Sequence, residues 1–159
     1  MAQAQRKPAP RRTDAISLLK ADHEEVSEMF EQFEGTSRKR PDTRQKTALA
    51  EKICEALTIH AQIEEEIFYP ACQEMVDDAE DLLAEAKVEH QSLKELIAKI
   101  ENAQPGTEDF DAEVTVLGEY VKHHVKEEQT QLFPKVRKSE MDLEAVGEQL
   151  EARKQELQK

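Results

Sequence analysis

What chemistry this chain of 159 residues can do rests on its histidines and a few of its glutamates. His23, His60, His90 and His124 each fall in a different stretch of helical period. In each stretch the apolar neighbours assign the histidine to the buried seam: Leu19, His23, Val26; Leu57, His60, Glu64; Ala86, His90, Leu93; Val121, His124, Glu128. About two positions in seven belong to such a seam, so four independent placements would coincide by chance on the order of one time in a hundred. An imidazole in an apolar interior finds a partner or costs a few kcal/mol. A single one is most often a satisfied core residue. Four of them, converging with carboxylates, point to bound metal.

Glu64 follows His60 by four residues, and Glu128 follows His124 by four. On a helix that spacing stacks both side chains on one face. A buried carboxylate with no partner tends to protonate, and a cation removes the difficulty. Both pairs sit in an internal repeat. HAQIEEEIFYP starts at His60 and HVKEEQTQLFP at His124, each with glutamate at plus four, an aromatic at plus nine and proline at plus ten. His123 and Glu127 make a competing pair of the same spacing, but the repeat and the seam select His124 with Glu128. His123 should face about 100° away. It is expected beside the centre, as is Tyr120, one turn before His124.

Four nitrogens and two carboxylates suit iron, manganese or zinc, and two shareable glutamates suit a pair of metals. The E-x-x-H signature of ferritin-like bundles is absent, as are H-E-x-x-H and the glycine of a calcium-binding loop near Asp77.

Positioning these residues requires four long helices, predicted over Asp14–Phe33, Asp42–Tyr69, Asp77–Glu101 and Glu108–Phe133. Thr13 is the expected cap of the first and Gly35 its expected end. Pro70 and Pro134 should break or bend the second and fourth, and Pro105 with Gly106 makes a turn. Met141–Leu157 reads as a short additional helix, with Arg153 interrupting its apolar series. Short links favour antiparallel neighbours, so the expected fold is all-α, an up-down-up-down four-helix bundle with a short C-terminal helix. Residues 1–12 read as a disordered basic tail and 13–136 as the bundle. Residues 137–159 read as a helix packed on the bundle or serving a partner.

Composition agrees with long amphipathic helices: 36% charged, 4% aromatic and 4 glycines. The formal net charge of −13 argues against nucleic acid or an anionic membrane as partner. No run reaches the roughly 18 apolar residues of a membrane span, and the N-terminus lacks a signal peptide's apolar core. Cys54 and Cys72 read as free thiols of a reducing compartment, and the expected location is cytoplasmic.

ADHEEV around His23, HAQIEEEIFYP, VEHQSL around His90 and HHVKEEQTQLFP, in this order and spacing, resemble the hemerythrin family. The closest resemblance is to its HHE cation-binding branch, over roughly Asp14 to Pro134. That resemblance implies two non-heme iron ions bridged by oxo or hydroxo. His23 and His60 would hold one iron, His90 and His124 the other, with Glu64 and Glu128 bridging. It implies O2, peroxide or nitric oxide as the small ligand, in stress defence or in oxygen or iron sensing. Catalase- or peroxidase-like turnover and iron homeostasis are the alternatives. Oxygen-carrying members have two histidines a turn apart on the third helix; here the flanking positions are Ala86 and Lys94. The resemblance therefore implies a more open site, completed by water or a tyrosine such as Tyr120, and favours redox reaction or sensing over reversible carriage.

Overall fold

The computed structural model describes residues 14–39 and 42–159, with backbone alone at 37–39. The basic segment 1–12 and Thr13 lie outside the described residues. No strand occurs among those described. The helices are α1 (Ala15–Lys39), α2 (Thr43–Ile63), α3 (Tyr69–Met75), α4 (Glu80–Asn102), α5 (Glu108–Glu127), α6 (Phe133–Lys138) and α7 (Leu143–Leu157). Two π-helical turns, Glu64–Phe68 and Glu128–Leu132, join α2 to α3 and α5 to α6.

Four helices, α1, α2, α4 and α5, form the bundle. Their directions alternate. Phe33, late in α1, packs on Phe110, early in α5, with ring centroids 6.5 Å apart. Lys46, early in α2, reaches Asp111 of α5 at 2.7 Å and lies over the Phe33 ring. Chain entry into the helices is fixed by side chains that accept the first orphan amide protons. Asp42 accepts from Arg44 and Gln45, Thr107 from Phe110, and Asp142 from Ala145. At the start of α1 it is Asp14 that accepts from the Ser17 amide, at 2.7 Å.

Helix ends depart from the sequence expectation in an instructive way. α1 passes through Gly35 to Lys39. Gly35 does not adopt positive φ, and an exposed helical glycine costs only about 1 kcal/mol, which does not stop a helix. The turn Pro105–Gly106 forms as expected, with Gly106 at φ 85. α4 begins three residues later than expected because Asp78 turns the chain at φ 57, a conformation that aspartate tolerates. Neither Pro70 nor Pro134 ends its helix. A proline ring collides with the carbonyl four residues back. The π-turn immediately before each proline widens the backbone there, and the chain continues to Met75 and to Lys138.

Two apolar cores flank a polar middle. One gathers Val26, Phe33, Ile53, Leu57, Leu93, Ile97, Val114 and Leu117. The other gathers Leu19, Ile63, Phe68, Ala86, Leu132, Phe133 and Leu150. α7 packs on α1, α2 and the first π-turn, with Leu150 fully buried. Arg153 does not interrupt it, because it points outward and pairs with Glu66 at 2.8 Å.

Candidate metal centre

Between the two cores lie His23, His60, Glu64, His90, His124 and Glu128, every one of them buried. Each helix of the bundle contributes one histidine, and the two copies of the repeat contribute the glutamates. The four Nε2 atoms turn inward. His60 Nε2 stands 2.9 Å and His90 Nε2 3.4 Å from Glu64 Oε1. His23 Nε2 stands 3.2 Å from Glu128 Oε1, and His124 Nε2 3.3 Å from Glu128 Oε2. His90 and His124 bring their Nε2 atoms within 3.2 Å of each other.

These approaches are close but mostly not hydrogen bonds. His23 Nε2, His60 Nε2, both oxygens of Glu64 and Glu128 Oε1 are buried without a hydrogen-bond partner. Buried polar atoms are normally satisfied, and an orphan costs about 1–3 kcal/mol. Orphans aimed at common points are what a cation would satisfy. The ligating atoms fall into two groups, His23 with His60 and Glu128, and Glu64 with His90 and His124, each within 4.8 Å. The residue types and grouping fit a pair of first-row metal ions.

The outward nitrogens show how the rings are held. Asp22 Oδ2 accepts from His60 Nδ1 at 2.9 Å and Gln129 Oε1 from His23 Nδ1 at 2.9 Å. Glu89 Oε1 lies 3.4 Å from His124 Nδ1, and Glu65 Oε2 lies 3.7 Å from His90 Nδ1. A proton held on Nδ1 leaves Nε2 as the lone-pair atom, the arrangement by which carboxylates orient metal-binding histidines. A pattern runs through these contacts. The residue before His23 braces His60, and the residue before His90 braces His124. Gln129, after Glu128, braces His23, whereas Glu65, after Glu64, stays 3.7 Å from His90 Nδ1, which is buried without a hydrogen bond.

Tyr69 is the site residue that sequence reasoning missed. Its hydroxyl donates to Glu128 Oε2 at 2.6 Å and lies 3.3 and 3.4 Å from Nε2 of His90 and His124. On an α-helix Tyr69 would lie about 140° from Glu64. The π-turn closes a hydrogen bond from the Tyr69 amide to the Glu64 carbonyl, which stacks residues five apart and brings both to the centre. The second repeat does the same with Phe133, whose ring stacks on His23 with centroids 6.1 Å apart. In the metal-free protein, Tyr69→Phe is expected to cost about 1.5–3 kcal/mol, the worth of a hydrogen bond to a charged group. Denaturant unfolding measures this; an unchanged midpoint would show the bond to be idle.

Charge is balanced by protons in this cluster. Burial pushes His60 toward losing its proton, but the Glu64 carboxylate and the Asp22 bond prevail and hold its pKa well above the usual histidine value. Burial likewise opposes ionisation of Glu64, yet His60 and then His90 hold it well below the usual carboxylate range. For His124, burial is again overcome, by bonds to Glu128 and Glu89, raising its pKa to about 10. Burial, then the Glu64 and Glu128 charges, push the Tyr69 phenol well up, so it keeps the proton it donates.

Tyr120 and His123 are not in the centre. Tyr120 is 49% exposed, on the flank of α5 beside Val88. The seam on α5 runs through Leu117, Val121 and His124, which leaves Tyr120 outside. The His123 side chain is 66% exposed, its Nε2 3.3 Å from Glu127 and 3.9 Å from Glu89. The notch beside Ala86, where the sequence lacks a histidine, is small. Its volume is about 10 Å³, lined by Leu82, Glu89, His124, Glu127, Glu128 and Leu132. That is room for about one water. A wider cavity of about 430 Å³ between α1 and α5 reaches His23 past Phe30, Val121 and Val125.

An all-α bundle whose interior gathers histidines and carboxylates defines a cation-binding helical protein. A family model, the hemerythrin HHE cation binding domain, matches residues 14–136. The chain belongs to this family. Among curated proteins it is similar to a DNA nickase of Nostoc sp. PCC 7120, 26% identical over 120 residues. That match covers 76% of this chain and 32% of the relative, so the chain spans about a third of the relative's length. Among solved structures it is similar to a hemerythrin HHE cation binding domain-containing protein from Mycobacterium kansasii. The TM-score is 0.75 at 22% identity, covering 91% of this chain and 86% of that one. This second likeness is one of fold.

Proposed function

We propose that this chain binds two iron ions and uses them to bind or react with O2, peroxide or nitric oxide, in stress defence or in sensing of oxygen or iron. The observation that carries the reading is six buried ligand side chains whose donor atoms fall into two groups, with His23 Nε2, His60 Nε2, both Glu64 oxygens and Glu128 Oε1 left without a hydrogen bond. In this reading His23 and His60 hold one iron and His90 and His124 the other. Glu64, which faces both His60 and His90, and Glu128, which faces both His23 and His124, would supply the carboxylate oxygens. Bound iron supplies electron transfer to, or binding of, a small oxidant.

The protein's own contribution is placement and exclusion. Asp22, Gln129 and Glu89 orient the rings of His60, His23 and His124. The Tyr69 hydroxyl stands beside Nε2 of His90 and His124. The cavity past Phe30 and Val125 is a route that suits a diatomic gas, and the two apolar cores keep bulk water from the centre. Cys54 and Cys72 are buried free thiols, and burial lifts the Cys54 pKa to about 12, which suits a reducing compartment such as the cytoplasm. DNA is left out of this reading: a net charge of −13 repels it, and the likeness to the nickase covers a minor part of that protein. Among the described residues no helix is long and apolar enough to cross a membrane.

Metal analysis tests the proposal directly. Protein purified without oxygen and loaded with ferrous iron is expected to hold about two iron ions per chain, and its spectrum is expected to change on exposure to O2 or peroxide. His60→Ala and His124→Ala should each lose metal, while His123→Ala should keep both ions. A loaded chain with no iron, or with His123→Ala as damaging as His124→Ala, would remove the reading.

A further inference from the structure

α7 stands outside the residues matched by the family model, which end at 136, yet it supplies a side chain one step from the centre. Lys154 Nζ donates to Asp22 Oδ1 at 2.6 Å. The other oxygen of the same carboxylate accepts from His60 Nδ1 at 2.9 Å, and His60 Nε2 faces Glu64 Oε1 at 2.9 Å. A buried line of contacts therefore runs from the C-terminal helix to an inward-facing ligand atom. Asp22 and His60 are each 8% exposed at the side chain and Lys154 is 21% exposed.

The other three rings have no such backing. His23 leans on neutral Gln129. The brace of His124, Glu89, is 23% exposed at 3.4 Å. His90 has the nearest analogue, a lysine holding its brace: Lys94 on Glu65 at 2.7 Å. That pair lies at the surface, with Lys94 47% exposed and Glu65 3.7 Å from the ring. Among the described residues, only His60 is braced by a carboxylate whose second oxygen is tied to a half-buried cation from another part of the chain. The helix that delivers the cation is itself anchored. Leu150 is fully buried in the core with Ile63 and Phe68, and Arg153 grips Glu66 within the first π-turn.

We propose that α7 is a clasp on the metal centre: through Lys154 and Asp22 it positions His60, and its docking governs how readily metal leaves. Asp22 and Lys154 are positioning residues. Detaching α7 would leave Asp22 Oδ1 a buried anionic atom without its cation. Water would have to reach it, and the His60 ring would lose the fixed brace that keeps Nε2 aimed at its ion. Coupling of this kind is reciprocal, so a bound ion must also hold α7 down.

The inference rests on the two-iron reading, and the experiment separates the two. Iron-loaded full-length protein is mixed with excess ferrous chelator, and the rate of iron loss is followed. Lys154→Ala is expected to speed loss about 10- to 100-fold, the usual penalty for removing a group that orients a metal ligand. Lys154→Arg should recover most of the difference. Gln155→Ala, at an exposed position of the same helix, and Lys94→Ala at the surface analogue should behave like the native chain. Hydrogen exchange gives a readout that general destabilisation would not move. Iron loading should slow exchange of the α7 amides in the native protein and do so much less in Lys154→Ala. Equal iron-loss rates in Lys154→Ala and the native chain, or slowing of α7 exchange by iron in both, would overturn the clasp. A native chain that takes up no iron would instead overturn the reading beneath it.

Discussion

Ferrous iron added to the metal-free protein is expected to raise its thermal midpoint by about 8–16 °C when free iron is about a thousand times the dissociation constant. At that ratio, a ligand that binds only the folded chain stabilises it by about 4 kcal/mol, and each kcal/mol moves a domain of this size by about 2–4 °C. The condition that only the folded state binds is met by the layout of the ligands. They come from α1, α2, α4, α5 and the two π-turns, and unfolding scatters them along the chain. Within the bundle, His23, His60, Glu64 and Glu128 all hold buried atoms that face an opposite charge or a ring nitrogen but make no well-aligned hydrogen bond. A cation relieves that cost at several atoms together. The metal-free bundle should still fold, because protonated His60 and His124 already balance the buried carboxylates and two apolar cores remain. The expected result is therefore a shift between two cooperative transitions. Calorimetry with and without iron measures it. A shift below about 2 °C at saturating iron, or one that persists in a His60→Ala/His124→Ala double variant, would show that the cluster is not the binding site.

Much of this arrangement could be read from residue types and spacing, because one physical rule governed it. A histidine or glutamate at a seam position of an amphipathic helix has to face the interior, and all six side chains selected that way are buried together. The same rule separated His124 from His123, which is largely exposed. Tyr69 escaped because the rule assumes an even 3.6-residue period. At an α-helical spacing it lies away from Glu64, and only the i→i+5 turn returns it to the site. The clue was present in the repeat, where an aromatic and a proline follow each histidine at nine and ten. The proline marks where the helix must widen, and the aromatic is what the widening turns inward. Tyr120 shows the converse error: close spacing to His124 placed it near the site, while the flank of α5 left it in solvent. The end of α1 was misread where glycine was given more authority than packing, while at the prolines the regular α-helix does give way, to a π-turn and not to a stop. Gly35 is exposed and the helix simply continues past it, and both prolines are accommodated by π-turns. The braces on Nδ1 depend on contacts between helices, such as Asp22 with His60, and sequence spacing on one helix carries no signal for them.

Metal uptake near neutral pH is expected to release about two protons per chain, and affinity should rise about a hundredfold per pH unit there. The protons come from His60, whose pKa stands well above the usual histidine value, and from His124, raised to about 10. Both rings must give up the Nε2 proton before that atom can bind an ion. Glu64 contributes none, because its depressed pKa leaves it ionised already. The rise with pH should flatten toward about pH 10, where His124 loses its proton unaided. The metal-free protein should behave in the opposite sense. A histidine with a raised pKa stabilises the fold fully below its unfolded value, about 6.5, and that contribution fades as pH climbs through the folded value. Glu64, with a lowered pKa, contributes fully above about 4.5, and its contribution fades in acid. The metal-free bundle is thus best held near pH 4.5–6.5, while the advantage of the loaded form widens toward alkaline pH. Zinc serves as probe where iron would oxidise or precipitate. Titration calorimetry in two buffers of different ionisation enthalpy counts the protons. A count near zero, with zinc affinity flat between pH 6 and 8, would mean that these histidines are neutral in the empty site, and that the charge balance argued for the cluster is wrong even if the ligands are right.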